Sequence, residues 1–267
     1  MFKNYYFWFI LLFAQSLFST SACIIIHGTW AHDESWYQPQ GDFFKAVYRC
    51  AQETKMVDQM VSFSWSGKLS YFFQMEAAKN LVALIEKYDW VILIAHSHGA
   101  TVAILASQLM SEKESNFFKI KKLYALGVPI DSSMKIYPNM NVIEKFYNLF
   151  SFGDFVQPVH GVHDRVFASH ERLANISVML DDFHPSHTQL HHATIGKELL
   201  KIENFFAQKK LGNFEHFALN QPALIKFFEY SVPQYFAQHN QQSLLELDKQ
   251  TQWMMTMAFF RNQQKIK

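Results

Sequence analysis

Ser97 is the residue of this sequence best suited to act as a nucleophile. It lies in the segment Ala-His-Ser-His-Gly, residues 95–99, after an apolar run at 90–94 and before an apolar segment that begins at Ala100. A nucleophilic serine of this kind sits on a sharp turn between a strand and a helix, and small residues two positions away on each side keep the turn uncrowded. The amide groups that begin the following helix favour negative charge beside the serine. The segment therefore predicts acyl transfer at Ser97, although alanine stands at 95 where glycine is usual.

The elements that must position Ser97 alternate between strands and helices. Apolar or alternating patterns predict strands at 23–26, 60–65, 89–95, 122–127, 142–150 and 176–180. Helical spacing of apolar residues predicts helices at 42–53, 72–88, 100–111 and 189–208. This alternation predicts the α/β class, with a mostly parallel central sheet and helices on both faces. Loops at the carboxyl ends of such strands carry the chemistry, and Ser97 lies in one of them.

Three motifs carry a resemblance to a known family. In chain order they are His-Gly-Thr-Trp at 27–30, Phe-Ser-Trp-Ser-Gly at 63–67 and Ile-Ala-His-Ser-His-Gly at 94–99. With them, residues 23–205 resemble the lipase and esterase branch of the α/β-hydrolase superfamily and are similar to its bacterial serine esterases. The resemblance implies the α/β-hydrolase fold and a serine hydrolase, but the motifs do not specify a substrate.

Acyl transfer places negative charge on a carbonyl oxygen, which backbone N–H groups fixed in advance can stabilise. One donor is expected from His98, the residue after the nucleophile. The resemblance implies that Thr29 supplies the other donor of this oxyanion hole. Gly28, just before it, allows the backbone to approach closely.

The acid of the triad follows the nucleophile and precedes the histidine in this fold. Residues 146–157 contain an apolar strand, a Gly-Asp turn and a valine, and they resemble the acid loop of the family. Asp154 is therefore predicted to orient the imidazole and to stabilise its positive charge. Three other aspartates remain as alternatives, namely Asp164, Asp181 and Asp182.

The histidine base is expected in the loop between the last strand and the helix that follows it. Residues 184–192 contain four histidines. His187 is preferred, because this histidine, the leucine three residues on and the helix behind it resemble the lipase pattern. His184 is the second choice and His191 the third. His187 and His191 also lie four residues apart, as metal ligands on a helix do, but no ligand set for a catalytic metal is evident, so neither a metal nor a cofactor is predicted.

The two ends of the chain have compositions of their own. Lys3, an apolar run at 7–14 and small residues at 19–22 have the three parts of a secretory signal. We expect residues 1–22 to be a signal peptide or, if uncleaved, an anchor, so that the protein is exported to the periplasm, secreted or membrane-associated. The catalytic domain is predicted at 23–211. Residues 212–267 are predicted to be a helical extension, which packs on the domain, covers the pocket as a lid or contacts a membrane surface.

Net charge and the aromatic residues in loops indicate which partners and substrates to expect. The net charge of +1 gives no electrostatic footprint for a nucleic acid. Trp30, Trp65 and Phe155 fall in loops expected around the site and are predicted to bind substrate, which favours a small-molecule or lipid ester. An acyltransferase, a thioesterase or an amidase would use the same triad. A catalytically silent binding protein on this fold is a further alternative.

Overall fold

A computed structural model describes residues 20–110, 118–130, 136–157, 165–203, 216–219 and 225–230. The strands in these ranges are β1 (Ser21–Ile26), β2 (Gln59–Phe63), β3 (Trp90–His96), β4 (Ile120–Leu126), β5 (Ile143–Phe150), β6 (Leu173–Leu180), β7 (His216–Leu219) and β8 (Ile225–Glu229). The α-helices are α1 (Asp42–Thr54), α2 (Tyr71–Ile85), α3 (His98–Met110) and α4 (Ala193–Glu198). None of these helices is long and apolar enough to span a bilayer.

The strands form one sheet in the order β2-β1-β3-β4-β5-β6-β8-β7. Strands β1 to β6 pair in parallel, and β8 pairs antiparallel with both β6 and β7. The predicted α/β class and mostly parallel sheet are confirmed. Because the carboxyl ends of parallel strands meet at one edge, the loops after β1, β3, β4, β5 and β6 gather there.

Helices cover both faces of the sheet, as predicted. Apolar side chains of α2 and α3, such as Leu81 and Ile104, pack on one face together with Leu93 of β3. Apolar side chains of α1 and α4 pack on the other face with Ile94, the next residue of β3. Strand β3 is therefore apolar on both faces, which is typical of a buried parallel strand.

Strand β1 begins earlier than predicted. Ser21 and Ala22, which the sequence places in the export signal, are buried residues of the strand. The Ser21 hydroxyl donates a hydrogen bond of 2.7 Å to Asp58 Oδ2 in the loop before β2. Small residues suit a signal cleavage region and a crowded strand end equally well, so local composition does not separate the two. Residues 1–19 lie outside the described residues, and the export signal stays a prediction.

The single helix predicted at 189–208 is wrong. A 3-10 turn at Thr188–His191 comes first, the short helix α4 follows, and a second 3-10 turn spans Leu199–Lys201. His192 separates the first two segments, because its backbone is extended and its ring Nδ1 accepts a hydrogen bond from Thr194 N at 3.3 Å. A cap of this kind starts a new helix instead of continuing the turn. Residues 204–208 lie outside the described residues.

The helical extension predicted at 212–267 is also wrong where the structure describes it, because β7 and β8 are strands. Ile225 and Phe227, two residues apart in β8, are buried, whereas Phe228 is half-buried. Strand β8 covers the edge of β6, which would otherwise present unpaired backbone groups. Pairing with β6 therefore outweighs the helical tendency of the segment. The rest of 212–267 lies outside the described residues.

Candidate active site

Ser97 occupies a strained turn between β3 and α3. Its φ is 54°, in the left-handed region that a residue with a side chain rarely adopts. The turn is held by a 2.8 Å hydrogen bond from Ser97 N to the carbonyl of Leu126, the last residue of β4. Backbone strain of this kind costs about 1–3 kcal/mol and is found most often at functional sites. The structure therefore has a sharp turn between a strand and a helix at Ser97, as predicted, and the role of Ser97 as a nucleophile stays a prediction.

Two glycines allow the end of β1 to touch this turn. A Cβ on Gly99 would lie 2.4 Å from the carbonyl oxygen of His27. A Cβ on Gly28 would lie 2.8 Å from Ser97 Cβ and 3.0 Å from the His96 carbonyl oxygen. Contacts shorter than 3.0 Å essentially never occur for real Cβ atoms, so any larger residue at either position would push the two loops apart. The glycines therefore keep the predicted oxyanion loop against the serine.

Asp154 and His187 meet at the same edge of the sheet. His187 Nδ1 lies 2.7 Å from Asp154 Oδ2, and the carboxylate is fully buried. The other carboxylate oxygen, Oδ1, accepts hydrogen bonds from the backbone N–H groups of Val156 (2.9 Å) and Gln157 (3.0 Å). These two bonds turn Oδ2 toward the ring, so that Nδ1 carries a proton and Nε2 of the neutral ring is free of one. This is the arrangement of a base steadied by an acid.

Gly127 lies at the site but was not predicted from the sequence. It follows β4 with a φ of +62°, and its N–H donates to the Leu149 carbonyl at 2.8 Å. A Cβ at this position would lie 2.9 Å from Asp154 Oδ2 and 3.2 Å from His187 Nδ1. Only glycine fits both the backbone conformation and the space. The one local signal is a glycine directly after the apolar strand β4.

The two alternative histidines have other surroundings. The ring of His191 stacks on Trp36 with a centroid distance of 4.1 Å, and burial lowers its pKa to about 4. The ring of His184 packs against Phe152 at 5.3 Å, and burial lowers its pKa as well. Within the described ranges, neither ring has a carboxylate at ion-pair distance, whereas His187 has one. The geometry therefore favours His187 as the base.

The structure describes two of the three alternative acids. Asp181, with a φ of 53°, and Asp182 are exposed in the turn that ends β6. Asp164 lies outside the described residues. Asp154 is thus the aspartate that the structure brings to His187.

The two predicted oxyanion residues are joined by their side chains. Thr29 follows the glycine at the end of β1, and His98 is the first residue of α3. Thr29 Oγ1 and His98 Nδ1 are 2.9 Å apart, within hydrogen-bond distance. The bond ties the loop after β1 to the start of α3. Both backbone segments from which oxyanion donors are expected are therefore held together.

His27 holds the predicted oxyanion loop in place through hydrogen bonds to Gly28 and Trp65. Its Nδ1–H donates to the Gly28 carbonyl at 2.8 Å, and its Nε2 accepts from Trp65 N at 3.1 Å. The indole Nε1 of Trp65 donates in turn to the His27 carbonyl at 2.7 Å. Burial lowers the pKa of His27, which favours the neutral ring that this pattern needs. These bonds hold the end of β1 in place.

The three predicted substrate-binding residues differ in exposure. Trp65 is buried and contacts His27, so the structure places it among the residues that support the oxyanion loop. Trp30 is 51% exposed and Phe155 is 44% exposed, each in a loop at the carboxyl edge of the sheet. Direct contact of any of the three with a substrate stays a prediction. Within the described ranges, no three His, Cys, Asp or Glu side chains group closely enough to hold a metal ion.

Comparisons with known proteins give remote structural likenesses. No protein-family model and no curated protein matches the chain. Among solved structures, the chain is similar to a cutinase-like protein from Cryptococcus sp., with a TM-score of 0.47 and 13% identity over 69% of this chain and 94% of that one. It is also similar to a serine hydrolase involved in carbazole degradation, with a TM-score of 0.45 and 11% identity over 70% of this chain and 91% of that one.

The fold follows from the topology of the chain itself. Six parallel strands carry helices on both faces. A strained serine turn joins the buried strand β3 to the helix α3 that follows it. Asp154 and His187 come from loops after later strands, in the chain order Ser, Asp, His. Together these features make the chain an α/β-hydrolase fold.

Proposed function

We propose that the protein is a serine hydrolase that cleaves carboxylic esters through Ser97, His187 and Asp154. The observation that carries the proposal is the 2.7 Å hydrogen bond between His187 Nδ1 and the buried Asp154 carboxylate, at the sheet edge where the strained Ser97 turn lies. The strained serine and the histidine–carboxylate pair come from separate loops. Packing alone gives no reason for them to lie at the same sheet edge, whereas catalysis does.

The reaction proceeds in two halves. His187 Nε2 takes the proton of Ser97 as its oxygen attacks the ester carbonyl carbon, and the N–H groups of Thr29 and His98 stabilise the oxyanion that forms. His187 then gives the proton to the leaving alcohol, and an acyl-enzyme remains. In the second half His187 takes a proton from water, the resulting hydroxide attacks the acyl carbon, and the carboxylic acid leaves as the proton returns to Ser97.

Asp154 assists His187 but forms no covalent bond with the substrate. It holds the Nδ1 proton of His187 and stabilises the positive charge that the ring gains when it takes the serine proton. Its other oxygen is engaged by two backbone N–H groups, which keeps the carboxylate from rotating away. The electrostatic stabilisation is strong because the group is fully buried.

The substrate class we propose is a small-molecule or lipid ester. Trp30 and Phe155 expose aromatic rings in loops at the edge of the sheet that carries Ser97, and such rings suit an acyl chain or an aromatic group. We also propose that the N-terminal segment ahead of β1 directs export, which would bring the enzyme to esters outside the cytoplasm or at a membrane surface.

The proposal is tested with p-nitrophenyl esters of increasing acyl length. Ser97→Ala should abolish hydrolysis, while Ser66→Ala, an exposed serine in the loop after β2, should leave it unchanged. Equal hydrolysis by the wild type and Ser97→Ala would contradict the proposal. Matched thioester and anilide substrates separate an esterase from a thioesterase or amidase. Transesterified products in the presence of a competing alcohol would identify an acyltransferase.

A further inference from the structure

Beyond the triad, we infer that His96 is a positioning residue that fixes the main chain of His187 and thereby sets the distance between the base and the nucleophile. The inference rests on the proposed function, in which His187 is the base. It assigns a role to the residue just before Ser97, which the nucleophile motif leaves unassigned.

A hydrogen bond joins His96 to the base loop. His96 is the last residue of β3 and is 5% exposed. Its Nε2 lies 3.0 Å from the carbonyl oxygen of His187. Because a carbonyl can only accept, Nε2 carries the proton and donates it. The same carbonyl accepts a longer bond of 3.3 Å from Leu190 N, which closes the 3-10 turn that follows the base.

The ring of His96 is packed from several sides. Its centroid lies 4.5 Å from that of His187, 4.8 Å from that of His191 and 5.7 Å from that of Trp36. Gly28 also lies near the ring, since a Cβ built on it would be 3.2 Å from His96 Nδ1. The imidazole therefore cannot swing away from His187 without moving its neighbours. Burial also lowers the pKa of His96 well below its usual range, so the ring stays neutral near pH 7.

The consequence concerns how the base is aligned. Asp154 fixes the imidazole of His187 through Nδ1. The main chain of His187, however, belongs to the loop that follows β6 after Leu180. His96 fixes the backbone of that residue from the strand that bears the nucleophile. Since His96 and Ser97 share a peptide bond, the position of His187 relative to Ser97 depends on β3 and not only on the loop. A misplacement of 1 Å in such a pair costs about a hundredfold in rate.

Matched variants test the inference. His96→Phe keeps a ring but removes the donor, whereas His96→Gln places an amide N–H close to the position of Nε2. The control is His191→Phe, which alters the same cluster of rings but makes no hydrogen bond to His187. With a p-nitrophenyl ester, kcat of His96→Phe should fall about tenfold or more with KM unchanged within about twofold. Both His96→Gln and His191→Phe should stay within about threefold of the wild-type kcat.

The outcomes separate this inference from the proposed function. If wild-type Ser97 is not labelled by a fluorophosphonate, the proposed function itself fails. If it is labelled and His96→Phe retains the wild-type kcat, or if His96→Gln falls as far as His96→Phe, the positioning role is overturned. Circular dichroism establishes that each variant is folded. Should His96→Phe not fold, His96→Leu, which also lacks a donor, replaces it in the comparison with His96→Gln.

Discussion

Replacing Asp154 by asparagine exchanges one carboxylate oxygen for an NH₂ group at nearly constant shape. In the wild type, Oδ1 accepts two backbone hydrogen bonds, from Val156 N and Gln157 N, and Oδ2 accepts the one from His187. An asparagine at 154 has a single oxygen. That oxygen can accept either from the two backbone N–H groups or from His187, but not from both.

The energies decide the choice. Turning the amide oxygen toward His187 would leave the part-buried N–H of Val156 and the buried N–H of Gln157 facing an NH₂ group, at a cost of about 1–3 kcal/mol for a buried one. We therefore expect the oxygen to keep the two backbone bonds and the NH₂ group to face the ring. An NH₂ group cannot accept, so His187 must present an unprotonated Nδ1 and carry its proton on Nε2. In that tautomer the ring cannot take the proton of Ser97.

The expected loss in kcat is about 10⁴-fold, the size seen when the same change is made in a serine protease triad. It corresponds to about 5 kcal/mol in the activation barrier. The assay is steady-state hydrolysis of a p-nitrophenyl ester, with thermal unfolding to establish that the variant is folded. Asp182→Asn, an exposed alternative acid, is the matched control and should keep full activity. A loss in Asp154→Asn smaller than about tenfold would refute this account of the acid.

Three further outcomes are expected. Gly127→Ala should lower kcat about a hundredfold and destabilise the fold by about 1 kcal/mol, because its Cβ would lie 2.9 Å from the acid's Oδ2 at a φ of +62°; normal kinetics would contradict this. Thr29→Val and His98→Ala should each lower kcat roughly threefold to tenfold, and the double variant should lose no more than the worse single variant; additive losses would show that the 2.9 Å bond does not join them. Burial lowers the pKa of His191 to about 4, so the unfolded chain binds more protons below about pH 6.5 and stability falls as the pH drops. Urea unfolding at pH 7 and 4.5 should therefore show that His191→Phe escapes roughly 2–3 kcal/mol of the acid loss, whereas equal losses in both proteins would contradict the assignment.

The parallel core could be predicted from local patterns. The apolar run before Ser97 corresponds to β3, and the alternation with helical segments predicted the sheet and its two helical layers. These elements were predictable because burial on both faces leaves a continuous apolar signature in the strand itself. The turn at Ser97 was predictable for the same reason, since a strand and a helix flank it.

The identity of the base and the role of Gly127 depend on contacts between residues that are distant in sequence. His187 was preferred by resemblance, and spacing alone left His184 and His191 open, because a loop of several histidines carries no local mark of which ring meets a carboxylate. Gly127 was missed for a similar reason, since its neighbours Asp154 and His187 come from loops far along the chain.

Strands β7 and β8 were assigned the wrong type of secondary structure. Their residues were predicted to be helical from broken patterns in the tail. The segment at Ile225–Glu229 has only five residues, too few for alternation to stand out, and the free edge of β6 determines its conformation. Partner strands of this kind become visible only when the sheet edge that they cover is known.

The proposed reaction depends on a Ser97 nucleophile that His187 activates. The most direct test is to treat the full chain with a fluorophosphonate, digest it and locate the adduct by mass spectrometry. We expect one adduct on the peptide that contains Ser97, none in Ser97→Ala and much slower formation in His187→Ala. An unmodified Ser97 in the folded wild-type protein, or the same labelling of Ser97→Ala, would contradict it.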